Sequence, residues 1–272
     1  MPVFYDTHAH LDYPEYAGDF DDVLKRAAEA GITRLISIGT DLESSRRAVA
    51  LSERHAAIFA CVGWHPNHAT EAPDDLRPAL RELAAHPKVV AIGETGLDYH
   101  HLPSEKPDAP PGADAAYKSA QDRVFRQQLE VAAEFGLNCV IHQRSAFADT
   151  IAVMRPVANK VRGVFHCFVG TPAEMREVIE MGSLVSFTGI VTFKNGVTVR
   201  ETLKETSADG FMLETDCPYL APVPYRGKRC EPAYVKEIAA VAAQTRGETL
   251  EQLSAATCAT AQRFFFHRLA GG

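Results

Sequence analysis

The sequence predicts an α/β protein whose eight strands close into a (β/α)8 TIM barrel, in one domain over residues 1–272. Three observations carry that expectation. Eight short runs are almost continuously apolar and rich in β-branched residues, as strands buried on both faces should be. Amphipathic helical patterns stand between them. No glycine-rich dinucleotide turn follows the first run, which favours a barrel over a doubly wound open sheet.

The first strand is expected at "PVFYDTH" (2–8), followed by "DFDDVLKRAAEAG", which puts Phe20, Val23, Leu24, Ala27 and Ala28 on one face and Gly31 at the stop. "TRLISIGT" (33–40) and "IFACVGWH" (58–65) are the second and third strands, and "DDLRPALRELAAH" repeats the helical pattern with Leu76, Leu80 and Leu83. "KVVAIGETG" (88–96) is the fourth. After it, residues 100–118 hold four prolines and few large apolar residues, which reads as a long loop inserted on the face where barrel active sites form. "DRVFRQQLEVAAEFG" returns to helix with Phe125, Leu129 and Ala132 and ends at Gly136. The fifth and sixth strands are "LNCVIHQ" (137–143) and "VRGVFHCF" (161–168). "TPAEMREVIEMG" opens with a Thr171 cap and Pro172 in the first turn. "GSLVSFTG" (182–189) and "GFMLETD" (210–216) complete the strands, and "PAYVKEIAAVAAQTRG" supplies a helix after them.

Bulk properties exclude several classes. A formal charge of −7 argues against a protein that coats nucleic acid by general electrostatics, though not against one that holds a few phosphates in a pocket. No apolar run approaches the roughly 18–20 residues of a membrane span. The N-terminus shows neither a basic leader region nor a small-residue cleavage site, and the six cysteines include no C-x-x-C pair. They read as reduced, buried thiols of a cytoplasmic protein.

Polar, metal-capable residues stand at the C-terminal ends of five strands: His8 and His10 after the first, Glu94 in the fourth, His142 in the fifth, His166 in the sixth and Asp216 in the eighth. A lone histidine in an apolar strand is ordinarily a satisfied core residue, and a lone acid after a strand caps the next helix. Six at matching ends are different. Barrel strands converge at one mouth, and buried imidazoles and carboxylates without partners are costly, so a shared cation is the economical solution. Four imidazoles and two carboxylates suit Zn, Mn, Fe or Mg rather than a thiolate site. Cys167 and Cys217, beside His166 and Asp216, should point the other way by strand alternation. Six ligands exceed one tetrahedral zinc, so two divalent ions bridged by Glu94 are expected, a pairing able to activate water and stabilise a departing oxygen.

At these residues the chain resembles the TatD-type metal-dependent deoxyribonucleases, within the amidohydrolase-like barrel hydrolases. The segments that carry the resemblance are "DTHAHLD", "GWHP", "IGETGLDY", "IHQR", "FHCFVG", "TGIVTFKN" and "ETDCPYLAPVPYRGKRCEPAYV", which run from residue 6 to 235. "IGETGLDY" and "ETDCPYLAP" are specific; "HAH" alone is not. The resemblance implies a distorted barrel with one or two divalent metals. It also implies hydrolysis of DNA phosphodiesters, commonly from the 3′ end, with His8, His10, Glu94, His142, His166 and Asp216 as ligands and His65 beside the scissile phosphate. Three features depart from the family pattern: the longer 100–118 stretch, Cys230 where Asn is usual, and Thr260 where Asn is usual.

The expected mechanism gives Glu94 the bridge and Asp216 two tasks, ligand and proton acceptor for the attacking water. His65, Lys194 and Arg229 are candidate phosphate contacts, the last within the "YRGKR" loop with Arg226 and Lys228. Arg144 also stands near the mouth, with capping of the following helix as the competing role. The expected substrate is single-stranded DNA ends, the expected state a monomer. The rival reading is a metallohydrolase of the same fold acting on a small amide, lactone or phosphate ester, since fold does not choose substrate.

Overall fold

The computed structural model describes residues 2–100, 102–105 and 107–268. The eight strands are β1 (Phe4–Ala9), β2 (Ile32–Ile38), β3 (Ile58–Val62), β4 (Val89–Asp98), β5 (Asn138–Arg144), β6 (Gly163–Phe165), β7 (Leu184–Phe187) and β8 (Phe211–Leu213). They form one parallel sheet in sequential order, β1 to β8. The expected barrel is therefore the observed one. Its last seam is thin: Ala9 bridges Cys217, His10 N donates to Cys217 O at 2.9 Å, and Asp216 N donates to His8 O at 2.9 Å.

Helices α1 (Phe20–Glu29), α2 (Leu42–Arg54), α3 (Arg77–Ala84), α4 (Ala113–Phe135), α5 (Phe147–Met154), α6 (Pro172–Glu180), α7 (Val197–Glu205), α8 (Val235–Arg246) and α9 (Leu250–Phe265) are assigned among the described residues. α6 begins as expected, with Thr171 accepting from Glu174 N in a reciprocal cap and Pro172 in the first turn. Two features differ from expectation. Residues 113–118 are not loop but the first turns of α4, because "ADAAYK" is alanine-rich and helix-forming and Gly112, at φ +80°, starts it. β6 and β8 are only three residues long, so His166 and Asp216 stand beyond their strands rather than in them.

The barrel interior is packed with Ile36, Ile38, Val90, Val140, Val164, Leu184 and Met212 from successive strands. Phe264, Phe265 and Phe266, at the end of α9, join this cluster. Asn138, the first residue of β5, donates its side-chain amide to Phe264 O at 2.8 Å, which places the three rings at the N-terminal end of the strands. Arg34 lies 4.3 Å over the Phe266 ring. The aromatic trio thus floors the barrel at the end opposite the strand C-termini.

All six cysteines are free; Cys61, Cys139, Cys217 and Cys230 are buried, whereas Cys167 and Cys258 are only partly so. Among the described residues no helix is long and apolar enough to cross a membrane.

Phe264→Ala should lower the unfolding free energy by about 3–5 kcal/mol, the usual cost of emptying a fully buried phenylalanine site. Urea unfolding followed by circular dichroism measures it. A loss below about 1 kcal/mol would show that the aromatic floor does not carry the barrel's stability.

Candidate active site

Glu94 is the centre of the mouth. It is 2% exposed and lies on β4 between two glycines. Both glycines are required by space: a Cβ on Gly93 (φ +146°) would stand 2.6 Å from Val140 O, and one on Gly96 (φ +140°) would overlap the His142 carbonyl. β4 therefore presses close to β5, where Gly96 pairs with His142. Backbone bonds around the strand ends hold these groups: Glu94 N donates to Gly39 O at 3.0 Å, His65 N to Thr40 O at 2.9 Å and His166 N to Ile141 O at 3.0 Å.

The two carboxylate oxygens of Glu94 face different sets of groups. Oε2 lies 3.3 Å from His8 Nε2 and 3.8 Å from His10 Nε2. Asp216 Oδ1 is 3.6 Å and 3.4 Å from the same two nitrogens. Oε1 lies 2.7 Å from His142 Nδ1, 2.8 Å from His166 Nε2 and 3.3 Å from His65 Nε2. The structure thus brings together all six residues expected at the metal centre. It sets His65 among them as well, grouped with Glu94 and His142.

The electrostatics follow. Burial works against ionisation of Glu94, but the imidazoles of His166, His65 and His8 and the bond to His142 outweigh it and hold the carboxyl well below its ordinary range. Asp216 is likewise held low, burial being overcome by His10, His8 and His166. Burial pushes the His65 imidazole down to about 4.

Donor chemistry tests whether cations fit. His142 Nε2 is 2.9 Å from Asp98 Oδ2 and donates to it, which turns Nδ1 inward at 2.7 Å from Glu94 Oε1. Two lone pairs do not face one another at that distance without a proton or a cation between them. His8 Nε2 and His10 Nε2 approach each other at 3.4 Å with the same consequence. The cluster therefore fits bound cations. His65 differs. Its Nδ1 accepts from Asn67 N at 3.1 Å, so the neutral ring carries its proton on Nε2 and is a donor.

The rings of the cluster are braced by packing. His8 stacks on His166 at 4.0 Å and His10 on Tyr13 at 4.8 Å; among the described residues the buried Nδ1 atoms of His8, His10 and His166 make no hydrogen bond, and His166 Nδ1 stands 3.6 Å from Glu214 Oε1. Glu214, which sequence reasoning passed over, accepts from Ser186 Oγ at 2.7 Å and Cys167 N at 2.6 Å beneath His166. Asp98 was also missed, although it stands four residues after Glu94 on one strand and so on the same face.

The expected phosphate contacts fare differently. Arg229 does not line the cleft: it donates to both oxygens of Asp19 at 2.7 Å and to the Glu15 carbonyl, and its guanidinium lies over Tyr16. The physical reason is a carboxylate from a distant turn that outcompetes any role at the mouth. Lys194 is exposed and is not among the cleft-lining residues. Arg226 lies over Phe193 at 3.9 Å and donates to Ala221 O. Arg144 does line the cleft, and it is not a helix cap: Gln143, with its amide oriented to satisfy its neighbours, accepts from Ala146 N and Phe147 N at the start of α5. Cys167, expected to point away by alternation, stands in a turn at φ +47° where that rule does not apply, and it lines the wall beside His166.

A family profile described as "TatD related DNase" matches residues 5–266. The uncharacterized metal-dependent hydrolase YabD of Bacillus subtilis is 39% identical over 264 residues, 97% of this chain and 99% of that one. A protein of Citrobacter koseri named 3′-5′ ssDNA/RNA exonuclease TatD is 34% identical over 267 residues, 96% of this chain and 98% of its own. Among solved structures, the TatD homologue YJJV of Escherichia coli superposes with a TM-score of 0.88 at 25% identity, covering 97% of this chain and 98% of that one. An organophosphorus hydrolase of Deinococcus radiodurans, at 16% identity and a TM-score of 0.58, shares the fold.

If Glu94 holds the centre together, excess divalent ion should raise the thermal midpoint, by about 2.7 kcal/mol of stabilisation at a hundredfold excess over Kd. Glu94→Ala should keep the far-ultraviolet spectrum and lose that shift. An unchanged ion-induced shift in Glu94→Ala would remove Glu94 from the centre.

Proposed function

The chain belongs to the TatD-related DNase family of metal-dependent hydrolases, and we propose that it hydrolyses phosphodiester bonds at the 3′ ends of single-stranded DNA. The observation that carries this is the division of Glu94. One oxygen faces His8 and His10, which Asp216 also faces; the other faces His142, His166 and His65. That division suits two divalent ions, one held by His8, His10 and Asp216 and the other by His142 and His166, with Glu94 between them. Zn, Mg and Mn all suit such a nitrogen and oxygen set. When bound, ions of this kind supply Lewis-acid polarisation of a phosphoryl oxygen and raise the acidity of water.

The chain's own residues do the rest. Asp98 fixes the His142 tautomer, and hence which nitrogen faces inward. Asp216 directs Oδ1 at His8 and His10, and its other oxygen takes the proton of the attacking water. His65 donates Nε2–H to a non-bridging phosphoryl oxygen, since its Nδ1 is already an acceptor. Arg144 is, among the described residues lining the cleft, the one arginine or lysine, and it takes the phosphate contact first expected of Lys194 and Arg229. A single cation in the walls suits a strand end better than a duplex, whose binding needs many phosphate contacts. Six free cysteines support a reducing, cytoplasmic setting, and we infer that the protein acts there as a monomer.

Activity should disappear in excess chelator and return with a divalent ion. The metal-loaded protein should shorten a 5′-labelled single strand and spare a 3′-blocked copy. Equal degradation of both would reject the end-directed reading. Cleavage of a dipeptide, lactone or phosphotriester in place of DNA would move the assignment to a small-substrate hydrolase.

Asp216→Asn keeps the shape and one ligand-capable oxygen but loses the base. It should retain bound metal by elemental analysis while losing about 10²–10⁴ in kcat. A near-normal kcat would assign the proton to another group.

A further inference from the structure

The cleft has two halves of different chemistry. Past His166 and Asp216 the polar mouth continues into a cavity of about 480 Å³, within the usual range for small-ligand sites. Its walls include Cys167, Val169, Ile190, Tyr219, Leu220 and Arg144. It shares His142, Arg144, His166, Asp216 and Tyr219 with the polar half, so the two are one continuous space. Tyr219 is 51% exposed and Val169 is 53% exposed, so apolar surface stands open beside a charged centre. The Tyr219 ring is also held. Its backbone N donates to Asp216 O at 3.0 Å, and its ring makes T-shaped contacts with Tyr13 at 6.2 Å and His10 at 6.3 Å.

We propose that this apolar annex seats the nucleobase of the nucleotide joined to the scissile phosphate, with the base stacked on Tyr219 and flanked by Val169 and Leu220. The proposal rests on the phosphodiesterase reading above and adds what grips the strand. A phosphate held at the Glu94 cluster must project its sugar and base into adjoining space, and the annex is continuous with that cluster. Binding cannot come chiefly from the phosphate backbone, because Arg144 is the one arginine or lysine among the described wall residues and the chain carries a net charge of −7. Stacking on an aromatic ring supplies affinity where charge does not. Stacking tolerates every base, so discrimination among the four should be weak. The side-chain amide in its wall, Gln143, has its oxygen committed to Ala146 N and Phe147 N, so it does not read a base edge with that acceptor.

The test compares single-stranded oligonucleotides carrying either a natural nucleotide or an abasic tetrahydrofuran unit at the cut position. The wild-type protein should favour the natural substrate by about tenfold in kcat/KM, the four bases should differ by no more than a few fold, and the preference should lie in KM. Tyr219→Ala should bring the ratio towards one, and Tyr219→Phe should restore it. A second readout needs no catalysis. A strand ending in 2-aminopurine, mixed with protein in excess chelator, should be quenched by wild type and by Tyr219→Phe but not by Tyr219→Ala. If the wild type cuts both substrates equally, or if Tyr219→Ala keeps the full preference, the annex is not a base site, while the nuclease reading stands. If the wild type cuts neither, the nuclease reading fails and the base site falls with it.

Discussion

A buried carboxylate ringed by imidazoles is the constraint around which this molecule is organised. Glu94 is almost wholly withdrawn from water, and an ionised carboxyl there is tolerable only because His8, His65, His142 and His166 crowd its two oxygens. Those residues come from five different places in the chain. A parallel barrel ends every strand at one mouth and so delivers them together. The glycines on either side of Glu94 belong to the same requirement, since a side chain at either would hold β4 away from β5.

Closure of the barrel and assembly of the site use the same bonds. The seam between β1 and β8 is drawn together by His10 N to Cys217 O and Asp216 N to His8 O. Three of the four residues in those bonds present groups at the cluster. Asp216 accepts a left-handed backbone, at φ +58°, in order to bond β1 while aiming its carboxylate inward; aspartate tolerates that conformation better than most residues. At the other end, Phe264, Phe265 and Phe266 fill the barrel and leave the mouth free of structural duty. Stability and chemistry are thus separated along the barrel axis.

The cleft above the cluster divides into charged and apolar halves that meet at Tyr219 and Arg144. Substrates with an anionic centre and a flat apolar appendage match both halves. Cations that look available in the sequence are committed elsewhere: Arg229 to Asp19 and Arg226 to Phe193. The mouth is consequently less basic than its loop composition suggests, which turns the search for affinity from charge towards stacking.

How much of this is legible in the sequence depends on whether the information is local. Apolar runs and helical periodicity are local, and they determined the barrel, the order of its strands and, because parallel strands end on one side, the convergence of His8, His10, Glu94, His142, His166 and Asp216. Asp98 was also within reach, four residues from Glu94 on one strand, but a carboxylate after a strand reads as a cap until its histidine partner is known. Residues 113–118 misled because the prolines before them outweighed their own alanine-rich pattern. α2, α5, α7 and α9 were not singled out in the sequence. Tertiary structure alone decided the rest: that His65 turns its Nε2 into the cluster, that Arg229 is claimed by a carboxylate 210 positions away, that Gln143 rather than Arg144 caps α5, and that Tyr219 opens an apolar annex beside the charges. Each depends on which groups become neighbours once the chain closes on itself, and periodicity along a sequence carries no record of that.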